Sequence, residues 1–211
     1  MNGRLRVRSA FFVGAFSILT LIALGGCDKN TVSLSSASTE PGSFSASNTA
    51  DCLPDVTLMN QYGQSLSLAS LKGRPVLIDF IYTTCPTLCP LLTAKFASVA
   101  KLLGARLGTK VNLVSITLDP EHDHPKQLLA YAKSHEANHP GWLFLTGTPA
   151  QVERVLGVYH IKRQINPDGS IGHVAEGFLL GPDGHQVRQY DTLQVPPKIV
   201  TSDIDRTLAH G

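Results

Sequence analysis

Pro75-Val-Leu-Ile-Asp-Phe-Ile-Tyr-Thr-Thr-Cys-Pro-Thr-Leu-Cys-Pro90 is the stretch of this 211-residue chain that decides its fold. Its first half, through Tyr82, is a β-branched and aromatic run with one charge, suited to a strand buried in the centre of a sheet. Cys85 and Cys89 follow directly, and behind them Leu92, Phe96, Val99, Leu103 and Leu107 recur at steps of four, three, four and four. That period predicts an amphipathic helix over 91–107. Pro86 suits a first helical turn, whereas Pro90 predicts a helix that starts late or kinks. In a helical turn, residues four apart share a face with Cβ atoms about 5–6 Å apart, so the two sulfurs can close a disulfide or grip one soft ion. A helix N-terminus also favours anions and lowers thiol pKa values. A disulfide this local would close a tiny loop and remove little unfolded-state entropy, so a purely stapling role explains the pair poorly.

Working outward, Asp55–Met59 and Ser65–Leu68 flank Gln61-Tyr-Gly-Gln64, the signal of an N-terminal hairpin with Gly63 in its turn. Val111–Leu118 reads as the next strand, and Pro125 opens a helix through about residue 138. Trp142–Leu145 is a further strand and Pro149–Leu156 a short helix. Ala175–Leu180 and Gln186–Tyr190 flank Gly181-Pro-Asp-Gly184, strong turn chemistry for a second hairpin, and Lys198–Ala209 closes the chain as a helix. Strands interleaved with helices predict an α/β fold, a central mixed sheet flanked by helices with an N-terminal hairpin extension. A strand, a cysteine loop and a helix in that order suggest a thioredoxin-like fold, although three residues separate these cysteines instead of two.

The N-terminus reads differently. Arg4, Arg6 and Arg8 precede the uncharged run Phe11–Leu24, which is short for a membrane span of about 20 residues and has the layout of a secretory signal peptide. Leu24-Gly25-Gly26-Cys27 resembles the lipobox of bacterial lipoproteins, which implies removal of residues 1–26 and a lipid on Cys27. Asp28 resembles the signal for retention in the inner membrane, so the body is expected, lipid-anchored, at the periplasmic face of that membrane. Residues 31–50 contain ten Ser or Thr and bury too little apolar surface to offset their ordering entropy, so 27–50 reads as a flexible tether. That leaves 51–211 as one folded domain. Without residues 1–26, 15 cations face 16 anions, and no Lys/Arg cluster remains as a nucleic-acid footprint.

Asp79-Phe-Ile-Tyr-Thr-Thr-Cys-Pro-Thr-Leu-Cys-Pro90 resembles the signature of the Sco/SenC family of copper proteins. Four further segments resemble it in order: Ser115-Ile-Thr-Leu-Asp-Pro-Glu-His-Asp123, Leu128-Leu-Ala-Tyr-Ala132, Trp142-Leu-Phe-Leu-Thr-Gly-Thr-Pro149, and His173-Val-Ala-Glu-Gly-Phe-Leu-Leu-Gly-Pro-Asp-Gly184. The resemblance covers residues 52–192 and implies a thioredoxin-like fold with Cys85, Cys89 and His173 as metal ligands. The family usually has Asp before that histidine, where this chain has Gly172. Two thiolates and an imidazole suit Cu(I), and the imidazole lets the set hold Cu(II) as well. Zn²⁺ would want a fourth ligand that the motif does not supply.

Other signals are weaker. His135-Glu-Ala-Asn-His139 matches H-E-x-x-H in form, but Pro140-Gly141 ends any helix there, so a solvated helix end is the better reading. His122 and His124 flank Asp123 in a loop that can bind surface copper only weakly. Asp119 and Asp123 stand at acidic positions typical of the family, and read first as turn and helix-capping residues. Cys52 has no place in the motif and reads as a free thiol or an intermolecular partner.

The resemblance implies a copper metallochaperone that delivers copper to the dinuclear site of cytochrome c oxidase subunit II or to another copper-site protein. That makes it a transfer protein and not an enzyme. The alternative is a thiol–disulfide oxidoreductase with Cys85 as nucleophile and Cys89 as resolving thiol. The long cysteine spacing and Ala175, where thioredoxin-like reductases resemble one another in carrying proline, weigh against a general reductase. Tyr82 and Ile78 weigh further against a peroxiredoxin, whose motif wants Thr and Pro at those positions.

Overall fold

The computed structural model describes residues 52–210. In chain order they form β1 (Thr57–Asn60), β2 (Ser65–Ser67), β3 (Val76–Ile81), α1 (Leu88–Leu103), β4 (Asn112–Thr117), α2 (Pro125–Ser134), β5 (Trp142–Thr146), α3 (Pro149–Val158), β6 (Arg163–Ile165), β7 (Ile171–His173), β8 (Glu176–Leu180), β9 (Gln186–Asp191) and α4 (Pro197–His210). Seven strands make one mixed sheet in the order β2-β1-β5-β4-β3-β8-β9. Helical crossovers through α1 and α2 leave β3, β4 and β5 parallel, whereas hairpin turns make β1–β2 and β8–β9 antiparallel. The N-terminal hairpin extends the β5 side through Met59–Thr146 pairing.

All six residues of β3 are buried, as its composition requires of a strand covered on both faces. Alternation along β3 sends Phe80 against Tyr159, just past α3, and against Phe178. Leu77 points the other way, into a small apolar space shared with Phe96 and Val99 of α1 and Val200 of α4. Trp142 and Phe144 stack on that same α1 face, near Phe96 and Tyr131. Helices therefore flank the sheet on both sides, and Asp79, two residues from Leu77, lies beneath α1 with no exposure.

The structure corrects helix boundaries and adds a hairpin. The first helix spans Leu88–Leu103, not 91–107, and Gly104 at φ 55° ends it. Pro90 is its third residue, and the first four amides of a helix have no intrahelical acceptor, so proline costs no bond there. The second helix stops at Ser134 instead of about 138, because Glu136 adopts φ 54°. An unforeseen hairpin, β6–β7, separates α3 from β8, and its strands pair with each other rather than with the main sheet. The regions assigned to 1–26 and 27–50 lie outside the described residues.

Candidate metal centre

β3 delivers the chain to Tyr82, and a turn closed by Cys85 N–H donating to Tyr82 O (3.3 Å) carries it into α1. Cys89 is the second residue of that helix and fully buried, while Cys85, in the turn, is 8% exposed. Both are free thiols. The Cys89 amide donates to Cys85 Sγ at 3.3 Å and the Tyr82 amide to Cys89 Sγ at 3.4 Å, so each sulfur faces a backbone N–H. Burial alone would raise the Cys85 thiol, but hydrogen bonds from the Cys89 and Thr87 amides and from neighbouring side chains outweigh it and leave its pKa lowered. Cys89 goes the other way: burial pushes its thiol far up, and negative charge on Cys85 and Asp79 adds to the rise. Asp79 is itself pushed up to about 7 by burial.

The turn is held from below by Asp123. Its carboxylate accepts from the Thr83 amide (3.1 Å), the Thr83 hydroxyl and the Thr117 hydroxyl (2.6 Å), tying the cysteine loop to the end of β4. The side chain of Asp123 caps no helix, so the expectation of a capping role is corrected. Burial keeps this carboxyl above the usual range against those hydrogen bonds. Asp119 does stay local, pairing with the exposed His122 at 2.9 Å.

His173 arrives from the tip of β7. Its Nε2 lies 3.6 Å from Cys89 Sγ, across 84 residues of sequence. Its Nδ1 is 2.9 Å from Val174 O, so Nδ1 carries the proton and Nε2 turns its lone pair toward the sulfur. Burial lowers the imidazole pKa, against the hydrogen bond to Val174 O, and keeps the ring neutral near pH 7. Tyr82 spans the site: its ring meets His173 edge-on at 6.0 Å, and its hydroxyl accepts from the Ile171 amide at 3.2 Å.

A protonated Cys89 donating to a neutral imidazole occupies the geometry a soft metal ion would take by replacing that proton. Metal–sulfur and metal–nitrogen bonds of about 2.3 and 2.0 Å put two donors on one ion about 3.5–3.7 Å apart, close to the separation found. Among the described residues, no group of three His, Cys, Asp or Glu side chains is gathered closely enough to cage an ion as it stands. For Cys85, Cys89 and His173 to hold one ion together, the three would have to draw inward.

The remaining sequence candidates separate from this site. His135 is the residue after α2, stacked on Tyr131 at 4.1 Å between ring centroids, and the H-E-x-x-H segment is not helical. His124 precedes α2 on the surface. Cys52 is buried beside His185, where Leu53 N–H bonds Gly184 O and draws the segment in, and it is not the free thiol expected. Cys27 lies outside the described residues. Sequence reasoning missed Tyr82, which shows only as an aromatic beside the motif.

The family model described as SCO1/SenC matches residues 45–209. Among solved structures, a SCO1/SenC family lipoprotein from Bacillus anthracis is 25% identical with TM-score 0.67, covering 74% of this chain and 94% of that one. ScoI from Bradyrhizobium japonicum, solved with copper bound, is 32% identical with TM-score 0.63, covering 72% and 96%. BsSco, described through a disulfide switch and as a member of the Sco family of cytochrome c oxidase assembly proteins, is 33% identical with TM-score 0.65, covering 74% and 93%. The fold common to them and to this chain is thioredoxin-like, as the strand, cysteine loop and helix predict.

Proposed function

Since the chain belongs to the SCO1/SenC family, we propose that it is a copper carrier that holds one copper through Cys85, Cys89 and His173. We take its destination to be a copper-site protein of the respiratory membrane, the dinuclear centre of cytochrome c oxidase subunit II. The observation that carries the reading is the 3.6 Å approach of His173 Nε2 to Cys89 Sγ. A neutral imidazole aimed at a buried sulfur is the donor pair a thiolate–imidazole copper site needs. Copper is cargo here: the partner's thiolates displace the three ligands in turn, and the ion leaves without net chemistry on the chain. A lipid on Cys27, with residues 28–50 as tether, would hold donor and acceptor at the periplasmic face of one membrane. The copper-bound relative and the relative described as a lipoprotein support those two parts of the reading.

A second reading has its own support. The lowered Cys85 and raised Cys89 divide the pair into an attacking and a resolving thiol, and a disulfide switch is described for BsSco. One paired experiment on the full chain separates the two: Cu(II) titration, and reduction of a model disulfide, for wild type and His173→Ala. A carrier loses Cu(II) affinity by orders of magnitude while its thiol couple still cycles. Unchanged Cu(II) binding in the variant removes His173 from the site and the carrier mechanism with it.

A further inference from the structure

His173 belongs to a hairpin that the main sheet does not hold. β6 and β7 pair with one another over three residues each, Arg163↔His173, Gln164↔Gly172 and Ile165↔Ile171. The connecting turn is stiff within itself: the Asn166 amide bonds Ser170 O at 2.8 Å, and Asp168 accepts from the Ser170 amide at 2.9 Å and its hydroxyl at 2.6 Å. A unit so braced moves as one piece, and what fixes β6 also fixes the imidazole at the end of β7.

Besides the approach of His173 to Cys89, two sets of side-chain hydrogen bonds run from the hairpin to the body. On β7 the Ile171 amide donates to Tyr82 Oη. On β6 the Arg163 guanidinium donates through Nη1 to Leu118 O, just past β4, and through Nε and Nη2 to Glu153 of α3. Its side chain is 17% exposed, against 56% for Glu153. Directly opposed residues of an antiparallel pair share a face, with Cβ atoms about 4.5–5.5 Å apart, so Arg163 grips the body from beside His173. The guanidinium reaches two acceptors on different elements through a rigid fork, which a lysine ammonium on its flexible stem does not reproduce.

We propose that Arg163 is a positioning residue for the metal centre, clamping the β6–β7 hairpin to β4 and α3 so that His173 stands over Cys89. This rests on the copper-carrier reading. Without the clamp the hairpin visits arrangements in which the imidazole is out of reach, and apparent affinity falls in proportion to the fraction of chains still closed. If that fraction drops to about a tenth, Cu(II) binding weakens about tenfold.

The test is a double-mutant cycle on the full chain with Cu(II) alone as probe, read by thiolate-to-Cu(II) charge-transfer absorption. The four proteins are wild type, Arg163→Met, His173→Ala and the double variant. Arg163→Met is expected to weaken Cu(II) binding about tenfold in the wild-type background and to change nothing once His173 is gone. Arg163→Lys is expected between Met and wild type. Glu153→Gln, which spares the Leu118 bond, weakens binding less than Arg163→Met and serves as the second variant should Arg163→Met fail to fold. Equal losses in both backgrounds overturn the proposal, because Arg163 then acts on the fold at large. So does no loss in either. Wild-type binding that His173→Ala leaves untouched overturns the carrier reading itself and is distinguishable from both.

Discussion

Asp79→Asn tests how the protein tolerates an acid under its metal centre. The carboxyl has no exposure, and burial raises its pKa from the ordinary 3.8 to about 7. A carboxyl raised by folding binds its proton more tightly in the native state, so its contribution is intact below the unfolded value and is lost as pH climbs through the folded one. Each pH unit between the two values costs about 1.4 kcal/mol, so wild type should forfeit about 4 kcal/mol between pH 4 and pH 7 from this group alone. That is a large share of a total stability of about 5–15 kcal/mol. Asparagine is nearly isosteric with the protonated acid and does not ionise. The two proteins should therefore be similarly stable near pH 4, with the variant ahead by about 4 kcal/mol above pH 7. Denaturant unfolding of the full chain across that range, taken as the difference between the two, measures it. A difference that does not change with pH, or a variant less stable at pH 8, would refute the argument.

Cys85 should react with iodoacetamide before Cys89, since its thiol is lowered and partly exposed while Cys89 is raised and fully buried; peptide mapping after brief labelling decides, and Cys89 modified first contradicts the division. Asp123→Ala leaves the Thr83 amide without its acceptor and should cost about 1–3 kcal/mol of stability, with Cys85 reacting more slowly as its turn loosens. Unchanged unfolding and labelling would remove Asp123 from the support of the site. Mass spectrometry of membrane-extracted protein should find residues 1–26 absent and lipid on Cys27, a claim that an intact Met1 or an unmodified Cys27 ends.

Much of this architecture was legible from local pattern. The apolar run through β3, broken only by Asp79, marks a central strand, and Gly181-Pro-Asp-Gly184 marks the β8–β9 turn, because each signal is carried by neighbouring residues. The β6–β7 hairpin was missed although Asn166-Pro-Asp-Gly169 carries the same turn chemistry, since three-residue strands reading Arg-Gln-Ile and Ile-Gly-His offer neither alternation nor a continuous apolar run beside it. The cysteine pair announced itself by spacing, but His173 was reached through family resemblance alone. Asp123 was misread because capping is judged within a few residues, whereas its partner Thr83 lies 40 residues away. Arg163 is further from view: Leu118, its backbone partner, is 45 residues distant, and a lone arginine in a polar stretch has many ordinary explanations.

The 84-residue separation of Cys89 and His173 also sets an order of events. In an unfolded chain the two cysteines remain near neighbours and can share an ion at little entropic cost. Recruiting the imidazole would mean closing a loop of that length, a penalty of about 4 kcal/mol from chain statistics alone. A nascent chain that meets copper before it folds offers the two sulfurs at least entropic cost, because the nearest histidines on their C-terminal side, His122 and His124, lie more than 30 residues away. On the copper-carrier reading, the full donor set exists only once β7 has been brought back against the start of α1. Ligation by His173 is then, on that reading, a mark of completed folding as well as of loading, and copper held by that imidazole sits on finished molecules.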